Sequence, residues 1–274
     1  MSKLLKIGIV GCGAIGSSLA KFIVKQLPRQ ARLCALYDID AFKSRKLSKA
    51  VSKNEGLALG SLKQLIAGSG LIIEAATAAS SWEIARSSLA GGRDIMIMST
   101  GGIAGRLKEL TALARKNKAK VYIPSGAISG VDALKASKLG RIKSVTLTTS
   151  KNPASFKGVK YLEARGINLV KIKKETVLFC GSAKEAVRHF PQNINVAAVL
   201  SLAGIGRERT VVKLIASPAI KRNIHEIKIE SASGNITTRT ENLLHPDNPK
   251  TSFLAVLSAM EALRQILEPV RIGT

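Results

Sequence analysis

Histidine is the side chain best suited to proton transfer near neutral pH, and this chain of 274 residues contains three. His225 lies in an alternating segment, 224–230, where the strand period of two places it on the apolar face. That position fits either a histidine satisfied within the core or a catalytic one. His189, near the end of a basic helix, is expected at the surface. His245 precedes a proline in a loop and fits an exposed or a functional role.

Two further polar clusters also allow more than one interpretation. Asn193 and Asn195 lie between a proline and an apolar helix, so Asn195 is either a helix cap or a ligand-binding group. Thr251 or Ser252, at the start of the last predicted helix, can cap it. The N-terminus of that helix attracts a carboxylate, and Lys250 adds positive charge there. The local sequence does not choose between these roles.

A glycine-rich turn near the start of the chain indicates phosphate binding. Gly11, Gly13 and Gly16 reproduce the G-x-G-x-x-G spacing between an apolar strand and an amphipathic helix. Gly11 permits the tight turn, Gly13 lets the backbone approach a pyrophosphate, and Gly16 lets the helix pack closely on the strand. Ala14 and Ile15 open the helix, whose free N–H groups and positive dipole end would face the phosphates.

The context of this turn strengthens the interpretation. A second apolar strand, 32–38, ends in Asp38, about 20 residues past the last glycine, where a carboxylate binds the ribose hydroxyls of a dinucleotide. A later strand, 71–76, ends in Ala76 and is followed by Thr77, and both are small enough to let a nicotinamide ribose approach. We therefore predict a dinucleotide site rather than a purely structural glycine turn.

The elements that would position these residues fall into two groups. The first half alternates strand and helix, which predicts an α/β domain with a Rossmann-type doubly wound parallel sheet, over 1–128. From Val145 the pattern changes, and a hairpin around Gly234 predicts a second α/β domain built on a mixed sheet. This catalytic and substrate domain is expected over 129–249. The amphipathic tail, 250–274, is expected to be a helix that packs back on the first domain.

Composition excludes several classes of protein. The contents of 46% hydrophobic and 22% charged residues are ordinary for a soluble globular protein. No uncharged apolar run reaches the roughly 18 residues needed to span a bilayer, so no membrane segment is expected. Cys12, Cys34 and Cys180 are scattered and form neither a disulfide framework nor a metal-ligand pattern. Together these features predict a cytoplasmic protein without a metal site.

The formal net charge of +25 is unusual and raises the possibility of a nucleic-acid partner. The basic residues are nevertheless spread along the chain, and aromatic residues for base stacking make up only 4%. We interpret the charge as a solvated basic surface that also attracts small anions, and we do not expect nucleic-acid binding.

Six segments of the chain carry a resemblance to a known family. They are 10–16, 98–102, 125–130, 190–197, 223–227 and 248–252. The first is generic, whereas the last four together are specific. On these segments the chain resembles the L-aspartate dehydrogenase family, nearly from end to end.

The resemblance implies NAD(P)-dependent oxidation of L-aspartate to iminosuccinate, which water hydrolyses to oxaloacetate and ammonia, and the reverse reductive amination. It implies a catalytic His225 and nicotinamide-side contacts at Ala127 and Asn195. A homodimer and a role in NAD biosynthesis are also implied. The substrate carboxylates would be held by Asn195 and by the group Lys250, Thr251 and Ser252.

Other functions fit parts of the same pattern. A sugar or inositol dehydrogenase would have a lysine in a Glu-Lys-Pro turn after the fifth strand, whereas that turn is Met98-Ser99-Thr100-Gly101 in this chain. A phosphorylating aldehyde dehydrogenase would need a cysteine nucleophile with a histidine partner, a motif that Cys180 lacks. An enzyme like dihydrodipicolinate reductase fits by fold alone. A dinucleotide-binding sensor without turnover is the alternative from outside the enzymes.

The choice of cofactor follows from the charges around the second strand. Asp38 should bind the ribose of NAD and repel the 2′-phosphate of NADP, whereas Lys43, Arg45 and Lys46 are close enough in sequence to receive that phosphate. We expect NAD to be preferred and NADP to be accepted. Measuring kcat/KM with both cofactors checks this, and a clear preference for NADP would contradict it.

Overall fold

The computed structural model describes residues 4–190, 195–246 and 248–273. These residues form two compact units, one comprising 4–124 with 259–271 and the other comprising 125–190, 195–246 and 248–258 with 272–273. No helix among the described residues is long and apolar enough to cross a bilayer.

The first unit is a five-stranded parallel sheet flanked by helices. In chain order its elements are β1 (Leu5–Val10), α1 (Ala14–Gln26), β2 (Ala31–Tyr37), α2 (Ala41–Ser52), α3 (Leu62–Gly68), β3 (Leu71–Glu74), α4 (Ala78–Ala90), β4 (Asp94–Ile97), α5 (Leu107–Lys116) and β5 (Val121–Tyr122). The strand order is β2-β1-β3-β4-β5, and every neighbouring pair is parallel. The predicted Rossmann-type sheet is thereby confirmed. The topological switch point lies at β1, because the chain places β2 on one side of it and then β3, β4 and β5 on the other.

The core of the first unit forms because its strands are apolar on both faces, as a parallel sheet covered by helices requires. Ile7 and Ile9 of β1 are fully buried beside Ile73 of β3 on one face, and Ile72 of β3 and Ile95 of β4 are fully buried on the other. The final helix, α10 (Phe253–Leu267), contributes Ala259 and Leu263 to the same core.

The second unit is built on a five-stranded mixed sheet. Its elements are α6 (Val131–Ser137), β6 (Ile142–Lys151), α7 (Lys160–Glu163), β7 (Thr176–Ser182), α8 (Ala183–His189), α9 (Asn195–Ala203), β8 (Val211–Ala216), β9 (Asn223–Ser231), β10 (Gly234–Asn242) and a small hairpin of β11 (Leu244–His245) and β12 (Asn248–Ser252). The order is β10-β9-β6-β8-β7, with β6 and β8 parallel and the other pairs antiparallel. The predicted mixed sheet is confirmed.

The start of the last helix differs from the prediction. Residues 250–252 were expected within it, but they belong to β12, where Ser252 pairs with Leu244, and the helix begins at Phe253. Leu244, the pairing partner of Ser252, lies eight residues earlier in the chain. The strand depends on this pairing, so the residues around 250–252 alone indicated only the start of a helix.

The turn after β1 generates a stability prediction. A Cβ added to Gly16 would overlap the carbonyl oxygen of Gly11, whereas one added to Gly68, at the end of α3, would meet nothing within 4 Å. Gly16→Ala should therefore lower the free energy of unfolding by roughly 2 kcal/mol, because the helix must move away from the turn. Gly68→Ala should change it by less than about 1 kcal/mol. Urea unfolding without cofactor measures both, and equal effects would contradict the close packing.

Candidate active site

The carboxyl ends of β1, β2 and β3 meet around the glycine turn. Gly11 has a φ of +95°, and a Cβ there would overlap the carbonyl oxygen of Ala75, just after β3. Its N–H donates to the carbonyl oxygen of Tyr37, the last residue of β2 (N···O 2.8 Å). Only glycine permits this conformation and this approach together.

The N-terminus of α1 is suited to phosphate. Gly13 caps the helix without a side-chain hydrogen bond, and the first turn contains no acidic residue. Gly13 is exposed and the space where its Cβ would lie is open, while Ala14 and Ile15 are half-buried. Backbone N–H groups facing open space at a helix N-terminus fit a pyrophosphate.

Asp38 is held in place at the end of β2. Its Oδ2 accepts a hydrogen bond from the N–H of Cys12 (2.7 Å), and its Oδ1 accepts one from the N–H of Asp40 (2.9 Å). Each carboxylate oxygen can accept a second bond, so this half-buried side chain can also bind ribose hydroxyls. Burial, together with the charge of Asp38, raises the pKa of Cys12 to about 12, and the thiol therefore stays protonated.

Beside this site a buried acid supports the residues at the end of β3. Glu74 accepts hydrogen bonds from the N–H groups of Ala76 (2.8 Å) and Ser99 (2.9 Å) and from the hydroxyl of Ser81 (3.1 Å). Burial raises its pKa, while these donors oppose the rise. Ala76 is thereby fixed and half-buried, and Thr77 is exposed before α4. Sequence reasoning passed over Glu74, although an acid that ends an apolar run was a usable signal.

In the second unit, one buried face of the sheet changes from apolar to polar along its strands. Val145 pairs with Ile229 and Leu147 with Ile227, and all four are buried in the core. The next pair on that face is Thr149 with His225, and Lys151 and Asn223 lie one step farther along β6 and β9, respectively. All of these polar side chains are buried.

His225 is oriented by its neighbour on β6. Its Nδ1 lies 2.9 Å from the hydroxyl oxygen of Thr149, a hydrogen bond that leaves Nε2 as the other functional nitrogen. Burial lowers the pKa of His225 to about 3, and the positive charge of Lys151 adds to this effect. The imidazole is therefore neutral at physiological pH.

Lys151 was missed by the sequence reasoning. It is 8% exposed, and burial lowers its pKa to about 8. The sequence could have indicated it, because the two-residue alternation that places His225 on an apolar strand face also places Lys151 on the face of Val145 and Leu147. A lysine at the polar end of an apolar strand face is rare enough to have been singled out.

The carbonyl oxygen of Ala127 is held against β10. It accepts hydrogen bonds from the side-chain amide of Asn242 (2.9 Å) and from the hydroxyl of Thr240 (3.2 Å). Thr240 pairs with His225 across the β9–β10 ladder. The structure thus places Ala127 against β10, the neighbour of the strand that carries His225, through two side chains that sequence reasoning did not identify.

Ser252 joins the same region, because it accepts a hydrogen bond from the side-chain amide of Asn223 (3.5 Å), two residues before His225. Thr251 is half-buried in β12, and Asn195 is the exposed first residue of α9. Asn193 and the side chain of Lys250 lie outside the described part of the structure. No set of three His, Cys, Asp or Glu side chains among the described residues is arranged to hold a metal ion.

The other two histidines pack against aromatic rings. His189 is half-buried because its ring packs on that of Tyr161, with centroids 4.4 Å apart. His245 lies in β11 rather than in a loop, and it is buried with its ring edge-on to Phe253 at 5.6 Å. Neither packing partner is adjacent in sequence.

Comparison with known proteins decides the family. The family described as "Aspartate dehydrogenase, C-terminal" matches residues 132–266, and "Homoserine dehydrogenase, NAD binding domain" matches residues 11–124. L-aspartate dehydrogenases of Methanosarcina barkeri and Methanosarcina mazei are each 45% identical over 273 residues, which cover 99% of this chain and 100% of theirs. The chain belongs to the L-aspartate dehydrogenase family.

Solved structures agree with this membership. The crystal structure of aspartate dehydrogenase from Thermotoga maritima matches with a TM-score of 0.73 and 28% identity, covering 99% of this chain and 100% of that one. A hyperthermophilic archaeal homoserine dehydrogenase in complex with NADPH shares the fold at 14% identity, with a TM-score of 0.60. As a member of this family with an NAD-binding domain, the protein is an NAD(P)-dependent dehydrogenase.

The buried imidazole makes stability depend on pH. In the unfolded chain His225 takes up a proton near pH 6.5, but in the folded protein only near pH 3. The unfolded state therefore binds more protons between these values, and stability falls as the pH is lowered through them, by roughly 2 kcal/mol at pH 5.

His225→Asn does not titrate and keeps a polar partner for Thr149, so it should lack this part of the decline. Urea unfolding at pH 7 and pH 5 measures the difference for both proteins. An equal decline in the two would show that His225 is not held neutral.

Proposed function

We propose that the protein oxidises L-aspartate with NAD(P) to iminosuccinate, which water converts to oxaloacetate and ammonia, and that it also catalyses the reverse reductive amination. The observation that carries this proposal is the buried, neutral His225, oriented by Thr149 (2.9 Å) at the polar end of the second sheet. The full-length identity of 45% to L-aspartate dehydrogenases supports the choice of substrate.

The cofactor would be held by the first unit. The proposed contacts in this unit are Gly11, Gly13, Ala14, Ile15, Asp38, Ala76 and Thr77. Ala127 and Asn195 are proposed as nicotinamide-side contacts because the family resemblance implies that role for them. When bound, NAD(P) supplies the acceptor for the hydride that leaves C2 of aspartate. The open space at Gly13 and the anchored carboxylate of Asp38 support this assignment.

We assign proton transfer to Nε2 of His225. The imidazole would take a proton from the substrate ammonium group, since hydride loss from C2 requires the neutral amine, or from the water that adds to the imine carbon. A free-state pKa of about 3 makes His225 a weak base. A bound dicarboxylate brings negative charge to this site, which favours the imidazolium and raises the pKa of His225 toward the working range.

The substrate carboxylates would be bound by polar groups of the second unit. We propose that Asn195, Lys250, Thr251 and Ser252 contribute to this binding. Ser252 is buried and already accepts from Asn223, so its hydroxyl hydrogen remains available to a carboxylate oxygen. Holding both carboxylates would fix C2 relative to His225 and thereby accelerate the reaction.

Several broader features belong to the same proposal, and the family resemblance supports them. We propose that the protein is a cytoplasmic homodimer that supplies iminosuccinate to NAD biosynthesis. The functional domains are proposed to be 1–128 for the dinucleotide and 129–249 for the substrate and the subunit contact, with the C-terminal helix assigned to the first.

A coupled assay with mutants tests the function. Purified protein should reduce NAD with L-aspartate but not with alanine, and should oxidise NADH with oxaloacetate and ammonia. His225→Ala should lower kcat by about 100-fold or more, because proton transfer by a positioned residue contributes 10²–10⁴-fold. Its dissociation constant for NADH should be unchanged.

His189→Ala is the matched control, since His189 packs on Tyr161 and is not assigned to the reaction. It should retain kcat within about twofold of the wild type. Wild-type protein that binds NADH without any aspartate-dependent turnover would instead be a dinucleotide sensor, and full activity in His225→Ala would refute the catalytic assignment.

A further inference from the structure

Glu74 is a fully buried acid at the carboxyl end of β3, and its hydrogen bonds fix the direction of its carboxylate. Its Oε1 accepts the N–H of Ala76 (2.8 Å). Its Oε2 accepts the N–H of Ser99 (2.9 Å) and the hydroxyl of Ser81 (3.1 Å). The carboxylate therefore faces the backbone that follows β3 and β4.

The donors around Glu74 suit the ionised acid. A backbone N–H group can only donate, and the two N–H groups meet different oxygens of Glu74. A carboxylate accepts from both, whereas a neutral amide would turn its NH2 group toward one of them. Ser81 lies in the first turn of α4, where the positive end of the helix dipole also favours negative charge.

No cation pairs with Glu74 among the residues that the structure describes. Its partners are backbone N–H groups and serine hydroxyls, which lower its pKa while burial raises it. Glu83, an exposed acid of the same region, is instead paired with Arg86. A buried charge without a counter-ion acts over a longer distance than an exposed one, because little water or salt screens it.

The carboxylate lies beside the segment proposed to meet the nicotinamide ribose. Ala76, a proposed contact of that ribose, donates directly to Glu74. Ala75, between them in the chain, has its carbonyl oxygen where a Cβ of Gly11 would lie, so this segment also borders the glycine turn. Glu74 itself is shielded from solvent and touches the site through Ala76.

We propose that the buried charge of Glu74 favours the oxidised over the reduced form of the bound cofactor. This inference rests on the proposed function, which places the nicotinamide near the end of β3. NAD and NADH carry the same phosphates, but only the oxidised ring is positive, so a negative charge nearby favours NAD. By linkage, the positive ring favours the ionised form of Glu74. Bound NADH is therefore a stronger hydride donor, which favours reductive amination.

The test measures the dissociation constants of NAD and NADH by titration calorimetry. In Glu74→Gln the ratio of Kd for NAD to Kd for NADH should rise about threefold or more, because a unit charge still changes an equilibrium about fourfold over roughly 20 Å at an effective dielectric of about 20. Glu83→Gln removes an equal charge from the surface of α4. It should keep the ratio within about twofold of the wild type, because exposed charges are screened.

Two further variants separate the charge of Glu74 from its hydrogen bonds. Ser81→Ala removes one donor, and Glu74→Asp keeps the charge on a shorter side chain. Each should change the affinities for NAD and NADH by a similar factor, so that their ratio stays within about twofold of the wild type. If Glu74→Gln does not fold, Glu74→Ala carries the same prediction, since water in the vacated space can accept from the two N–H groups.

An unchanged ratio in the folded neutral variant would overturn the proposal, even if both affinities fell, because Glu74 would then only position the turn. A ratio that rises as much in Ser81→Ala or Glu74→Asp would overturn it as well. These binding constants do not require turnover. Absence of aspartate turnover with the expected ratios would overturn the proposed reaction alone, whereas turnover with an unchanged ratio would overturn only the role of Glu74.

Discussion

The hydrogen bond between Thr149 and His225 lies where the buried face of the second sheet changes from apolar core side chains to the polar side chains of the candidate site. On one side of this pair the same face carries Leu147 and Ile227, which stabilise the unit by apolar burial. On the other side the face is polar. Because the two strands are in fixed antiparallel register, a shift of one residue would turn every one of these side chains to the opposite face. Packing of the apolar part therefore fixes the position of the imidazole.

In the first unit, close backbone contacts and hydrogen bonds fix the strand ends around the glycine turn. Gly11 lies against Ala75 so closely that no side chain fits between them, and the N–H of Cys12 is bonded to the carboxylate of Asp38. The ends of three neighbouring strands are thus tied together around the N-terminus of α1. Glu74 also holds the strand ends together, because this buried acid accepts hydrogen bonds from two backbone N–H groups, one after β3 and one after β4. Because these groups are held by hydrogen bonds within the protein, fewer of them have to be ordered when a ligand binds.

Much of the fold was predictable because its signals are local. The glycine spacing, the acid at the end of the second strand, and the alternation of strand and helix each depend on neighbouring residues, and they correctly indicated a parallel Rossmann-type sheet followed by a mixed one. Local signals failed where a distant pairing competes with them. Thr251 and Ser252 join a strand rather than the helix, and His245 lies in a strand, buried against Phe253, rather than in a loop.

The sequence by itself determined the dinucleotide-binding turn, the fold class, the family and the apolar face that carries His225, since all of these are properties of short segments. Only the tertiary structure decided that Thr149 orients His225, that Asn242 and Thr240 hold Ala127, and that Lys151 is buried beside them. These contacts join residues 76 to 115 positions apart, with Lys151 two positions from Thr149. These contacts depend on strand register and on burial, and both result from the pairing and packing of segments that are distant in the sequence.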